Sequence, residues 1–165
     1  MNYTTLKTNI QNFLEDDSTE LSNSLDTIIS QAEDMIFHRL PNLPAFRQSS
    51  TGTLVDGTAS YVVANARLIR NVSITVSSNV KFLEHRVDSY LRDFAPNPST
   101  TGEPTFYSTD TASTSGTTIT LAPTPNSGYS FEVEFVAPAT GLSSSNTTSW
   151  LGNNAENLLL SACLY

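Results

Sequence analysis

His38 and His85 are the only histidines in the chain, and imidazole is the side chain best suited to moving protons near neutral pH. Neither stands in a catalytic setting. His38 falls near the end of a helical pattern, where histidine commonly faces the last carbonyls. His85 sits in "FLEHR", which reads as strand or rim. Serines and aspartates are plentiful enough to compose a Ser-His-Asp set on paper, but no GxSxG elbow or other nucleophile motif holds one. Glu15, Asp16, Asp17 and Glu20 crowd a short stretch without the spacing or following glycine of a calcium loop, so a solvated turn is expected. Glu33 and Asp34 are neighbours on a helical pattern and point different ways, as on a polar face. Gly52, Gly57, Gly102 and Gly116 read as turns rather than a phosphate cradle. Cys163, in a Leu-rich run, reads as a small buried hydrophobe. The expectation is a protein that is not an enzyme and holds no cofactor or metal.

The elements around these residues change period twice. Tyr3, Leu6, Ile10, Phe13 and Leu14 form an apolar stripe at helical spacing, with Asn2 or Thr4 as cap. "EDDSTE" breaks it. Leu21, Leu25, Ile28, Ile29, Ala32, Ile36 and Leu40 form a second stripe, closed by Pro41. Two such helices on a short loop predict an antiparallel helical hairpin. From Phe46 the pattern becomes β. "FRQSSTGTLVDGTASYVVA" reads as two strands joined at Asp56-Gly57. "RLIRNVSITVSSNVKFLEHR" alternates in places, and "VDSYLRDFAP" reads as a short rim helix. "PTFYSTD", "TTITLAP" and "GYSFEVEFVAP" read as three more strands. Residues 139–149 form a polar link, and Thr109–Thr117 and Ser143–Ser149 are the stretches expected to order on docking.

The end of the chain is the most apolar part. Asn153 and Glu156 stand at capping-box spacing ahead of it. Leu151, Ala155, Leu158, Leu159, Ala162 and Tyr165 share one helical face, with Leu160, Cys163 and Leu164 beside it. Trp150 is either an interface anchor or a staple packed on this helix. Such a helix has to complete a bundle with the first two, because a two-helix hairpin cannot bury its own stripes. The expected fold class is therefore α+β: a helical bundle of two N-terminal helices plus the C-terminal helix, with an inserted antiparallel β-sandwich or barrel. The expected boundaries are 1–45 for the hairpin, 46–138 for the β insertion, and 139–165 for linker and last helix. Since nothing caps the helix, its continuation past Tyr165 is also expected. The apolar and aromatic side chains at this end, Trp150, Leu158, Leu160, Leu164 and Tyr165, are the candidate interface residues.

Composition narrows the class of function. The 165 residues suffice for one core without staples, and the single cysteine excludes an internal disulfide. No run approaches a membrane span and no leader is recognisable. Charged residues are 15% of the chain, against about 25% in ordinary soluble domains. Eight Lys and Arg against sixteen Asp and Glu leave a net charge of -8. Sequence-independent binding of nucleic acid draws on clustered cations, so this chain is not expected to grip DNA, which an acidic protein can still surround without holding.

Five segments, in order, carry a resemblance. "YTTLKTNIQNFLEDDSTEL", "TIISQAEDMIFHRLPNLPAFR", "PNPSTTGEPTFYS", "ITLAPTPNSGYSFEVEF" and "SWLGNNAENLLLSACLY" resemble head-to-tail adaptor (connector) proteins of tailed bacteriophages, especially of the short-tailed type. The Ala32-Glu33-Asp34 step, the Leu43-Pro44-Ala45-Phe46 exit, the Pro-rich turn before Tyr107 and the Trp150-Leu151-Gly152 opening carry it together, by their order along the chain. The resemblance implies a structural virion protein of the neck, made in the host cytoplasm. It implies a homo-oligomeric ring, typically a dodecamer, joining the portal protein to a tail or nozzle protein. DNA passes through such a ring at ejection without specific binding, and no membrane is involved. An acidic lumen would suit that passage. The alternative is a virion or surface carbohydrate-binding β module, with Tyr107 and Tyr129 as its aromatic platform.

Overall fold

The computed structural model describes residues 1–113 and 115–165. Of the stretch Thr109–Thr117, Thr114 lies outside the described residues. The chain divides into two compact units, Met1–Phe46 with Pro138–Tyr165, and Arg47–Ala137. The described residues form an α+β protein with five α-helices and several sheets.

In the first unit, α1 (Tyr3–Leu14) starts at Asn2, whose side chain accepts the Thr5 N–H at 2.8 Å. Tyr3, Leu6 and Ile10 are buried, whereas Phe13 is 70% exposed and Leu14 is exposed too. The stripe thus runs one turn past its cover. Glu15 closes α1 in the left-handed region (φ 51°). Ser18 then caps α2 (Thr19–Arg39), accepting the Leu21 N–H at 3.2 Å. Leu25, Ile29, Ala32, Ile36 and Phe37 form its buried face. The two helices run antiparallel: Tyr3 and Lys7 bond to Asp26, and Gln11 bonds to Ser22.

The second unit begins with β1 (Arg47–Thr53), β2 (Ser60–Ala64), β3 (Leu68–Val76), β4 (Asn79–Phe82) and β5 (Glu84–His85). After α3 (Asp88–Phe94) come β6 (Thr101–Gly102), β7 (Phe106–Ser113), β8 (Gly116–Ala122), β9 (Thr124–Pro125) and β10 (Ser130–Val136). One sheet has the order β1-β10-β3-β4, a second β2-β8-β7-β5, and β6 pairs with β9. Each four-stranded sheet ends in an edge, so the barrel alternative fails. Nor is the pairing wholly antiparallel, since β5 with β7 and β6 with β9 run parallel. Val72, Ile74, Val133 and Phe135 from the first sheet share one apolar cluster with Val63, Tyr107, Ile119 and Leu121 from the second. Along β10, Val133 and Phe135 are buried while Glu132 and Glu134 face water, the alternation of a sheet wet on one face.

Two turns separate local from distant pairing. Asp56-Gly57 does turn the chain, with Gly57 at φ 76°, but β1 and β2 are not a hairpin. They belong to different sheets and pair with β10 and β8. Leu54 is buried between them, and its N–H bonds to the Tyr129 carbonyl at 2.8 Å. Partners from far along the chain outcompete the adjacent strand. Gly52, expected in a turn, lies within β1; a Cβ there would approach the Phe131 ring to 2.7 Å. β3 and β4 do form a hairpin. Its two-residue turn is Ser77-Ser78, both left-handed at φ 49° and 66°.

The last helix also differs from expectation. It is two helices, α4 (Trp150–Asn154) and α5 (Glu156–Cys163), broken at Ala155. Asn153 is therefore no cap. Ser149 caps α4, accepting the Gly152 N–H at 3.1 Å, and α5 has no side-chain cap. The apolar periodicity survives the break: Leu151 and Leu159 are both buried, and α5 packs against α1 and α2.

Candidate assembly surface and the cavity beside Glu33

The candidate interface residues do not share one patch. Trp150, at the start of α4, is 37% exposed and lines a cavity of about 180 Å³ with Glu33, Asp34, Phe37, Phe46 and Gly141. Tyr165, 93% exposed, borders a separate groove with Ile28, Met35 and Cys163. Its ring lies 5.9 Å from the Arg39 guanidinium. Leu158 is exposed, and Leu160 and Leu164 are half-buried.

Glu33 is the residue that reading by pattern placed wrongly. It is half-buried, and both its carboxylate oxygens accept the Leu142 N–H, at 3.2 and 3.1 Å. Burial raises its pKa, against the pull of that N–H. The spacing held a signal: Glu33 lies four residues after Ile29 and three before Ile36, on the flank of the buried stripe. Asp34 does face solvent, 3.4 Å from His38 Nδ1. That same nitrogen lies 2.9 Å from the Asp34 carbonyl, one turn back within α2 rather than among the last carbonyls that the sequence pattern pointed to. Phe37 and Phe46 meet edge to face at 5.0 Å and line the same cavity as the carboxylates. Cys163 is pushed up to about 11, by burial and then by the charge of Glu33. Its thiol is thus protonated and a poor nucleophile at neutral pH.

The second unit offers a cleft of about 410 Å³ lined by Arg67, Arg70, His85, Tyr107 and Thr109 among others. His85 Nε2 lies 3.3 Å from the Thr109 hydroxyl. No carboxylate orients the ring from behind among the described residues, so the pair lacks the third member of a relay. Tyr107 is 3% exposed, which withdraws it from any glycan platform. Pattern reading also passed over a surface aromatic group: Tyr90, Phe94 and Phe106 interlock at 4.9–6.2 Å, with Arg86 over Tyr90 and Phe106.

Among the described residues no cluster of three or more His, Cys, Asp or Glu is placed to hold a metal ion. No helix among them is long and apolar enough to cross a membrane. A family model described as SU10 adaptor protein matches residues 1–165. No curated protein is significantly similar in sequence.

Proposed function

The chain belongs to the SU10 adaptor protein family, a family of bacteriophage adaptors, and on that premise we propose that it is the structural head-to-tail adaptor of a virion of the short-tailed type. Copies form a homo-oligomeric ring, a dodecamer, that joins the portal protein to a tail or nozzle protein. The ring surrounds the DNA channel in the neck, and no catalysis is involved. The family match over the whole chain carries this reading. The charge supports it: a net charge of -8 favours sliding over gripping of DNA by like-charge repulsion. The fold proposed with it is a bundle of α1, α2 and the C-terminal helices over 1–45 and 139–165, bearing a two-sheet sandwich over 46–138. Packing of α5 on α1 and α2 supports the bundle, and the apolar cluster common to both sheets supports the sandwich. Trp150, Leu158, Leu160, Leu164 and Tyr165 are proposed as assembly contacts.

The test is the mass of the chain, alone and with portal-bearing particles, by native mass spectrometry and sedimentation. Rings of about a dozen copies on portal-bearing particles, and none on portal-free ones, are the expected result. A monomer that ignores both would sink the reading.

A further inference from the structure

The cavity beside Glu33 has an acidic wall, an aromatic wall and no lysine or arginine of its own unit in it. Cations of that unit are engaged elsewhere. Lys7 lies 3.2 Å from Asp26, the terminal ammonium 3.3 Å from Glu156, and Arg39 stacks on Tyr165. His38 approaches Asp34 and, edge to face, the Phe37 ring. For Glu33 the sole partner among the described residues is one backbone N–H. A half-buried carboxylate so held is under-compensated, and an incoming cation would find it ready.

The complementary feature is on the β unit. In a chain with twice as many carboxylates as cations, an arginine without an acidic partner stands out. Neither the Arg67 nor the Arg70 guanidinium makes an ion pair, hydrogen bond or ring contact among the described residues. Arg70 falls where the register of β3 on β10 slips: Asn71 faces Glu134 and Ile69 faces Phe135, leaving Arg70 unmatched. A bulge of this kind re-aims the side chain it carries. Glu134, in the groove beside Arg70, accepts the Asn71 amide at 2.6 Å instead. Asp110 across the cleft is itself engaged.

We propose that the cavity formed by Glu33, Asp34 and Trp150 is the socket for Arg70 of a second copy of this chain. This rests on the ring reading above. The lining selects a guanidinium, which is planar and weakly hydrated, stacks on aromatic faces and forks onto carboxylates. About 180 Å³ admits such a head group and no folded segment. One surface of each copy meets a different surface of the next, the heterologous contact that closes into rings when the rotation allows.

The experiment is charge exchange in the full chain, read by sedimentation velocity alone and on portal-bearing particles. Asp34→Arg and Arg70→Asp should each weaken self-association about tenfold or more, and the double variant should recover most of it. Both positions are exposed, and circular dichroism with thermal melts verifies the folding of each variant. Arg70→Ala with Glu33→Gln is the milder pair should a reversal misfold, and each of these should weaken association on its own. Trp150, the chain's only tryptophan, should change emission as copies associate, and Arg70→Ala should lose that change. Wild type that assembles while the single variants assemble equally well would overturn the socket and leave the ring standing. So would a double variant as weak as the singles, which would place the cation on another protein. Wild type that stays monomeric under both conditions would overturn the two together.

Discussion

Both carboxylate oxygens of Glu33 on α2 accept the backbone N–H of Leu142, 109 residues further along the chain. The bond ties the polar segment before α4 to the helix that the second apolar stripe built. Gly141 makes room for it, since a Cβ there would come within 2.5 Å of Glu33 Oε2. Glu33→Ala should leave the Leu142 N–H unpaired and cost about 1–3 kcal/mol. Glu33→Gln keeps an acceptor and should cost far less. The pH dependence has a definite sign. The Glu33 pKa is raised in the folded state, so between its unfolded and folded values the native protein holds more protons than the unfolded chain. Its contribution to stability is fully present below the unfolded value and is lost as pH rises through the folded one. Urea unfolding across pH 4 to 8 should show that loss in wild type and its reduction in Glu33→Gln; parallel profiles would remove Glu33 as the source.

Gly152 is required by close approach rather than by backbone conformation. A Cβ there would lie 2.3 Å from the Met1 carbonyl oxygen. The Gly152 carbonyl in turn receives the Met1 ammonium, which also pairs with Glu156 at 3.3 Å. Because the obstacle is backbone, it cannot swing aside. Gly152→Ala should destabilise by about 1–3 kcal/mol, seen as a lowered thermal midpoint. An unchanged midpoint would show that residues 1–2 yield freely.

The Ser77-Ser78 turn holds two residues with side chains in the left-handed region, where Asn-Gly is the favoured pair. Ser77→Asn with Ser78→Gly should stabilise the protein by about 1 kcal/mol. The measurement is the denaturant midpoint at constant slope. A lower midpoint would mean that the serines make compensating contacts.

Leu158 and Leu159 are neighbours with opposite fates. Leu159 is fully buried, whereas Leu158 is 38% exposed. Leu159→Ala should cost about 2–5 kcal/mol. Leu158→Ala should change the stability of the isolated chain by less than about 0.5 kcal/mol and weaken assembly instead. Equal losses of stability would show that Leu158 packs inward in solution.

Short-range regularities decided what the sequence alone could say. The stripes Leu6–Ile10 and Leu25–Ile36, the Asn2 cap, and the alternation of Phe131, Val133 and Phe135 with two glutamates rest on period and neighbours within a turn or two. The absence of a nucleophile motif and the acidic balance are equally local. Tertiary structure decided whatever depended on distant partners. Strands β1 and β2 flank a good turn, yet each gains its ladder from residues about fifty to ninety positions away, so the hairpin never forms. Phe13 belongs to the α1 stripe by spacing and is exposed because nothing in its unit covers that turn. Glu33 reads as one more polar-face carboxylate until Leu142 arrives to claim it. Arg70 gains its meaning only from a slip in register against β10. A side chain's period is set by its own backbone, but its environment is set by whichever remote segment buries it, and one sequence read in order does not name that segment.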